Sequence, residues 1–196
     1  MKSIASVIHP IFRLTEKEYL ENERHSDVRH EYLGGLIYAM AGASATHNLI
    51  ALTLATRLRG QVRGKGCQVF ISDMKLKIAA TDTFYYPDVM MTCSPADNAD
   101  YFRTSPVLII EVASPTTAVT DRREKLLAYQ GIASLREYVI VSQTEMSIQL
   151  YRRDPNGHWW LATLGADDAF ELDSVGLQLS VREIYEDVTE QMMNAE

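Results

Sequence analysis

The segment from Tyr85 to Glu111 holds two apolar runs, each with a carboxylate. Residues 85–93 read YYPDVMMTC and residues 107–111 read VLIIE, with a polar loop between them. Both apolar runs have the composition of buried strands. Asp88 stands near the start of the first run and Glu111 at the end of the second. An ionised carboxylate is costly to bury unless something compensates its charge, so the partners of these two groups are the central question.

The composition is that of a chain with a proper core. The chain has 196 residues, of which 46% are hydrophobic, and we expect one domain over residues 1–196. No apolar run approaches the length of a membrane span, and the N-terminus lacks the long apolar core of a signal peptide, which predicts a cytoplasmic protein without membrane attachment. The net charge of −7 counts against a large nucleic-acid footprint. Locally grouped cations, or acidic groups that hold a metal, would remove that objection.

The two cysteines, Cys67 and Cys93, lie inside apolar segments. The chain has no Cys and His spacing typical of a zinc site. We therefore predict buried free thiols rather than a disulfide or a metal centre.

A helix from His47 to about Arg63 is predicted by apolar residues at every fourth position, with Thr46 as its N-cap. We interpret His47 as a helix-start residue rather than a ligand. The C-terminal half of this helix carries four cations, which are Arg57, Arg59, Arg63 and Lys65. They suit the negative end of the helix dipole, and alternatively they could meet a phosphate backbone.

The remaining pattern predicts a mixed β-sheet flanked by helices. Alternation from Cys67 to Ile78 predicts a strand with Lys75 and Lys77 on a solvated face, paired in an antiparallel hairpin with residues 85–93. Further signals predict helices at 15–23, from Asp121 to near Gly131 and at 181–192, a strand at 138–141 and a hairpin turn at 154–157. This order is typical of the α/β or α+β class.

The two carboxylates can serve one chemistry if their strands are neighbours. Mg²⁺ is commonly held by one or two carboxylates, with waters and substrate phosphate completing the octahedron. Asp88 and Glu111 could supply those oxygens, and Lys125 in the next helix could position the nucleophile or offset charge.

Structural interpretations of the same residues stay open. Asp88 follows Pro87 and could simply end a turn, and Glu111 could pair with an arginine. Asp121 is interpreted as a helix cap, and Lys125 could form a surface pair with it.

Four motifs in this order resemble the Uma family of restriction-endonuclease-like proteins. They are YPDV at 86–89, IIEVASPTTA at 109–118, DRREKLLAY at 121–129 and LREY at 135–138. The similarity extends to EYLGG at 31–35, to the helix at His47 and to IYED at 184–187, so it covers nearly the whole chain.

The resemblance implies a PD-(D/E)XK nuclease fold and a Mg²⁺-dependent phosphodiesterase centre, with Mn²⁺ as an alternative ion. Asp88 matches the aspartate of that motif, Glu111 its second acidic residue, and Glu31 an additional acidic residue of the family. The position of the motif lysine is Ala113 here, and the family uses a lysine of the following helix, which would be Lys125. We expect Asp88, Glu111 and Glu31 to bind metal, these three and Lys125 to be catalytic, DNA to be the substrate and the protein to form a homodimer.

Two other functions are compatible with the same residues. One is a nucleic-acid-binding or protein-interaction module that has kept the fold and lost catalysis, as Ala113 permits. The other is a metal-dependent phosphohydrolase that acts on nucleotides or small phosphate esters.

Overall fold

The helices lie close to where the sequence predicts them. The computed structural model describes residues 13–114 and 121–189. The helices are α1 (Glu16–His25), α2 (Ala45–Val62), α3 (Leu126–Gln130), which follows a π-helical turn over Asp121–Lys125, and α4 (Val181–Ile184), with 3-10 turns at Ala79–Thr81 and Glu186–Val188. Residues 190–192 of the predicted closing helix lie outside the described residues. Within the described ranges, no helix is long and apolar enough to cross a bilayer.

The strands of the described residues form three sheets. A five-stranded sheet has the order β2-β1-β5-β4-β7, a six-stranded sheet the order β11-β10-β9-β8-β6-β3, and β12 and β13 pair alone. The strands are β1 (His30–Leu33), β2 (Leu36–Ala39), β3 (Gln68–Ile71), β4 (Lys75–Ile78), β5 (Thr83–Tyr85), β6 (Val89–Thr92), β7 (Phe102–Arg103), β8 (Pro106–Ala113), β9 (Glu137–Ser142), β10 (Ile148–Arg153), β11 (Trp159–Leu164), β12 (Ala169–Leu172) and β13 (Leu177–Ser180).

The predicted mixed sheet flanked by helices is confirmed. In the six-stranded sheet β8 and β9 run parallel, whereas the other neighbours are antiparallel. One face of this sheet carries the larger core, where Ile110 and Val112 of β8 contact the buried side of α2. The opposite face carries a second core, in which Ile109 of β8 packs with Tyr129 of α3. Alternate residues of β8 therefore serve the two cores, as the period of a strand requires.

The N-cap of α2 corrects the sequence prediction. The cap is Ser44, whose Oγ accepts a hydrogen bond from the backbone N–H of His47 at 3.1 Å. The predicted cap, Thr46, lies inside the first turn of the helix. Both residues carry a hydroxyl that can cap, and only the backbone geometry distinguishes them.

The predicted strand from Cys67 to Ile78 is two strands that belong to different sheets. Ser72 has a φ of +43°, in the left-handed region, and the chain bends there between β3 and β4. The predicted hairpin is real, but β4 pairs with β5 in one sheet and β3 pairs with β6 in the other. Lys75 is buried instead of solvated, and its Nζ lies 5.2 Å from the centre of the Tyr86 ring. The residues between β5 and β6, including Asp88, consequently lie where the two sheets meet.

The prediction of free thiols is wrong, because Cys67 and Cys93 form a disulfide. The antiparallel register pairs Gln68 with Thr92. Cys67, which precedes Gln68, therefore lies opposite Cys93, which follows Thr92, and their Cα atoms are 4.1 Å apart. Neither cysteine is fully buried. A separation of 26 residues does not reveal this contact in the sequence.

Removing the disulfide should lower stability without changing the fold. The Cys67→Ser, Cys93→Ser double variant should lose about 3 kcal/mol of unfolding free energy, since the crosslink closes a loop of this size in the unfolded chain. Urea titration of both proteins, with and without reductant, measures the loss. Reductant should not affect the double variant. Free thiols in the denatured, unreduced parent would contradict the assignment.

A buried carboxylate fastens the turn after β12 to the six-stranded sheet. Glu137 is fully buried, and its Oε1 lies 3.0 Å from Nε and Nη2 of Arg152. Its two oxygens also accept hydrogen bonds from the backbone N–H groups of Asp173 at 3.1 Å and Ser174 at 2.9 Å. Because all of these donors bind the same carboxylate, its negative charge is compensated although the residue is fully buried.

Truncating Glu137 should therefore be costly. Glu137→Ala leaves two backbone N–H groups without their acceptor and removes one of the acceptors of Arg152, and we expect a loss of about 3 kcal/mol of unfolding free energy. Glu171→Ala, which truncates an exposed glutamate of the neighbouring strand β12, is the matched control. Equal urea midpoints for the two variants would show that the buried contacts contribute nothing.

Candidate active site

The register of β6 and β8 brings the two central carboxylates together. Val89, the first residue of β6, pairs with Ile110 of β8, so Asp88 lies beside Glu111 just beyond the end of the ladder. The backbone N–H of Asp88 donates to Glu111 Oε2 at 3.3 Å. Asp88 Oδ2 accepts from the backbone N–H of Val112 at 2.7 Å. The side chain of Asp88 thus accepts the Val112 N–H at the point where β6 has not yet begun and offers Val112 no strand partner.

The position of Pro87 explains why the ladder stops there. Continuing the antiparallel register would place Pro87 opposite Val112, and a proline has no N–H to donate. Pro87 lies between β5 and β6, two residues before the latter begins.

Glu111 is a buried carboxylate on the face of β8 that meets α3. Its residue is only 3% exposed. Tyr129 donates its hydroxyl to Glu111 Oε1 at 2.8 Å, and Lys125 Nζ donates to the same oxygen at 3.3 Å. Lys125 and Tyr129 are four residues apart and hence on one face of a helix. Among the described residues, a lysine and a tyrosine therefore compensate the charge of Glu111.

Lys125 also joins the two sheets at this point. Its Nζ lies 3.1 Å from Oε1 of Glu31, which is part of β1 in the five-stranded sheet. The ammonium group lies 5.5 Å from the centre of the Tyr85 ring. The structure thus places Glu31 next to Lys125, and Lys125 next to Glu111. The side chain of Asp121, the alternative partner of Lys125, lies outside the described residues.

His47 is the site residue that sequence reasoning did not find. Its Nε2 lies 3.1 Å from Asp88 Oδ2, and both side chains are mostly buried. The capped first turn of α2 fixes the imidazole in this position. The helix N-terminus also carries partial positive charge, which stabilises the negative charge of Asp88. A histidine beside a helix start is a weak sequence signal, because 41 residues separate it from Asp88.

The tyrosines of the site remain protonated donors. Burial, and then the charge of Glu111, raise the pKa of Tyr129 well above its usual value. Burial, and then the charge of Glu31, raise the pKa of Tyr85 to about 12. Tyr129 therefore donates to Glu111 throughout the neutral range.

Two further features of the sequence analysis are Ala113, which is buried near the site, and the cations of α2, which lie away from it. Ala113, at the usual position of the motif lysine, is buried on the same face of β8 as Glu111. The cations Arg57, Arg59, Arg63 and Lys65 lie toward or just beyond the other end of α2, and at 1.5 Å per residue Arg57 is about 15 Å and Arg63 about 24 Å from His47 along the helix. Arg57 there lies 3.7 Å from Glu183, so this basic end does not border the site.

The carboxylate oxygens of the site suit a hard cation, such as Mg²⁺, that takes few ligands from the protein. Across the described ranges, no group of three or more His, Cys, Asp or Glu side chains could hold a metal ion by itself. Mg²⁺ does not require such a cage, since one or two carboxylates with waters and phosphate suffice. Both recorded contacts of the Asp88 side chain use Oδ2. Within the described part of the chain Oδ1 therefore has no hydrogen-bond donor and can serve an additional ligand.

Comparison with known proteins places this geometry in a family. The family model Uma2, described as "Putative restriction endonuclease", matches residues 16–182. The uncharacterized protein slr1290 of Synechocystis is 38% identical over 177 residues, which cover 90% of this chain and 93% of the relative. A second uncharacterized Synechocystis protein, sll1609, is 33% identical over 159 residues, covering 80% and 90% of the two chains.

A solved structure has the same fold. It is described as a "putative nuclease belonging to DUF820" from Anabaena variabilis, with a TM-score of 0.70 and 17% identity over 88% of this chain and 98% of the other. The fold is therefore the restriction-endonuclease-like α+β fold, and this chain belongs to the Uma2 family of restriction-endonuclease-like proteins.

Proposed function

We propose that this protein is a metal-dependent endonuclease that hydrolyses phosphodiester bonds of DNA at the cluster of Asp88, Glu111 and Lys125. The observation that carries the proposal is the meeting of two carboxylates from adjacent strands, with the Asp88 N–H 3.3 Å from Glu111 Oε2, beside a lysine within 3.3 Å of the second carboxylate. Membership of a family whose description is "Putative restriction endonuclease" supports the nuclease class.

Asp88 and Glu111 would hold the ion, with Glu31 as a further acidic group at the rim. Bound Mg²⁺ or Mn²⁺ would supply an acidified water and charge stabilisation on the phosphate under attack. His47 holds Asp88 through Oδ2, so that the orientation of Oδ1 is set before a ligand arrives. Tyr129 does the same for Glu111 through Oε1. Such preorganisation lowers the cost of assembling the site.

Lys125 is the group that can act on the substrate. Its ammonium lies between Glu31 and Glu111, at 3.1 and 3.3 Å. A cation there can orient the attacking water and offset the charge that develops on the phosphate.

Removing either carboxylate should abolish metal binding and cleavage together. Calorimetry with Mg²⁺ or Mn²⁺ should show binding by the parent and none by Asp88→Asn or Glu111→Gln, and plasmid nicking should fall at least about a hundredfold. Asp88→Asn keeps an oxygen acceptor for the Val112 N–H and so protects the fold.

Asp73→Asn, which changes an exposed aspartate of the bend before β4, is the matched control and should behave like the parent. Metal-dependent nicking that persists in Asp88→Asn would defeat the assignment. A parent that binds DNA tightly without metal and never cuts it would favour the non-catalytic module that Ala113 suggests. Turnover of mononucleotide esters with intact DNA would favour a small-molecule phosphohydrolase.

Lys125→Met should separate cleavage from metal binding. The variant keeps the length of the side chain and removes its charge, so nicking should fall by about a hundredfold or more. Metal affinity should hold or rise, because the carboxylates lose a competing cation. Thermal unfolding monitored by circular dichroism shows whether the variant is folded at the assay temperature. Nicking at the parent rate would remove Lys125 from the mechanism.

A further inference from the structure

We propose that Tyr38 is a base-stacking residue beside the candidate active site, and that the substrate is nucleic acid with an unpaired base next to the scissile phosphate. This inference rests on the proposed function, because it names the substrate class of the same site. It starts from the register of β1 and β2, which pairs Tyr38 with Glu31.

Paired residues of an antiparallel ladder point to the same face of the sheet, with Cβ atoms about 5 Å apart. Tyr38 therefore lies on the face that carries Glu31, whose carboxylate is 3.1 Å from Lys125. The neighbouring pair, Tyr32 and Ile37, points to the other face, where Tyr32 is buried against Tyr19. The face with Tyr38 is thus the face of the site.

Tyr38 is also placed to receive a flat apolar ligand. Its residue is 51% exposed, on a strand that forms the open edge of the five-stranded sheet. The other strongly exposed large aromatics of the described residues are engaged: the guanidinium of Arg24 lies 4.4 Å from the centre of the Tyr101 ring, and the Trp160 indole N–H donates to Asp154. Among the described contacts, Tyr38 has no hydrogen bond, ring contact or cation partner.

An exposed ring beside a phosphodiesterase centre suits a nucleobase. Aromatic side chains stack on unpaired bases without sequence preference, because every base has a π-face. A base inside a duplex presents only its edge, since both of its faces are already stacked. The carboxylates are recessed, with Asp88 17% and Glu111 4% exposed in their side chains. A flexible strand can bring its phosphate into this recess while its base lies on Tyr38, whereas a rigid duplex fits less readily.

The acidic net charge agrees with this assignment. The basic end of α2 lies far from the site, so a long phosphate footprint does not border it. Stacking supplies affinity where cations are few, and it needs only one or two nucleotides.

Binding of a labelled single-stranded thymidine oligonucleotide, measured by fluorescence anisotropy, tests the proposal. The proteins carry Asp88→Asn, so that no substrate is cut. We expect Tyr38→Ala to weaken single-strand binding about tenfold, which corresponds to about 1.4 kcal/mol. Tyr38→Phe keeps the ring and should bind like the Asp88→Asn protein. Ile37→Ala, the matched control on the opposite face of the same strand, should have no effect.

A duplex of the same sequence should bind more weakly than the single strand and should not respond to Tyr38→Ala. Equal binding by the Tyr38→Ala and Ile37→Ala proteins, no measurable single-strand binding by the Asp88→Asn protein, or a preference for duplex would overturn the proposal. A dimer that dissociates in Tyr38→Ala, seen by sedimentation, would assign the ring to self-association and would also overturn it.

The test separates this inference from the nuclease proposal. Metal-dependent nicking by the wild-type protein without any effect of Tyr38 would leave the nuclease standing and remove the stacking role. Single-strand binding that depends on Tyr38, together with a wild-type protein that cuts no DNA, would support the stacking role and remove the nuclease proposal.

Discussion

The compensation of Glu111 is the interaction on which the centre of this structure depends. A carboxylate in the middle of an apolar strand would be prohibitively costly if its charge stood alone. Tyr129 and Lys125 make it tolerable by donating to one of its oxygens. Because both donors come from the same short helical segment, the burial of one charge also holds α3 against the sheet. The same contacts thus compensate the buried charge and pack α3 on the sheet.

The same compensation explains why the site lies where two sheets meet. Lys125 contacts Glu31 of the five-stranded sheet and Glu111 of the six-stranded sheet. The bend at Ser72 and the proline before Asp88 allow one hairpin to serve both sheets. Charged groups can gather there without entering either apolar core. The arrangement provides a recess that is polar at its base and bordered by rings.

The strands and helices of this fold can largely be predicted from the sequence, because they depend on local patterns of apolar and polar residues. The apolar run that ends in Glu111 predicts a buried strand, and the order of elements predicts the mixed sheet with its helices. The resemblance pointed to Asp88, Glu111, Glu31 and Lys125, and the structure brings them close together. The prediction of Thr46 as the cap is wrong, because the side chains of Ser44 and Thr46 are both suitable caps and only the backbone geometry selects Ser44.

Short periodic patterns decide local structure and burial, so the strands and helices that carry the carboxylates and the lysine follow from the amino-acid sequence. Which distant groups meet follows from the folded arrangement of those elements. The disulfide between Cys67 and Cys93 and the contact of His47 with Asp88 follow from strand register and helix placement. Register is set by the packing of whole sheets, and so no local pattern reveals these contacts.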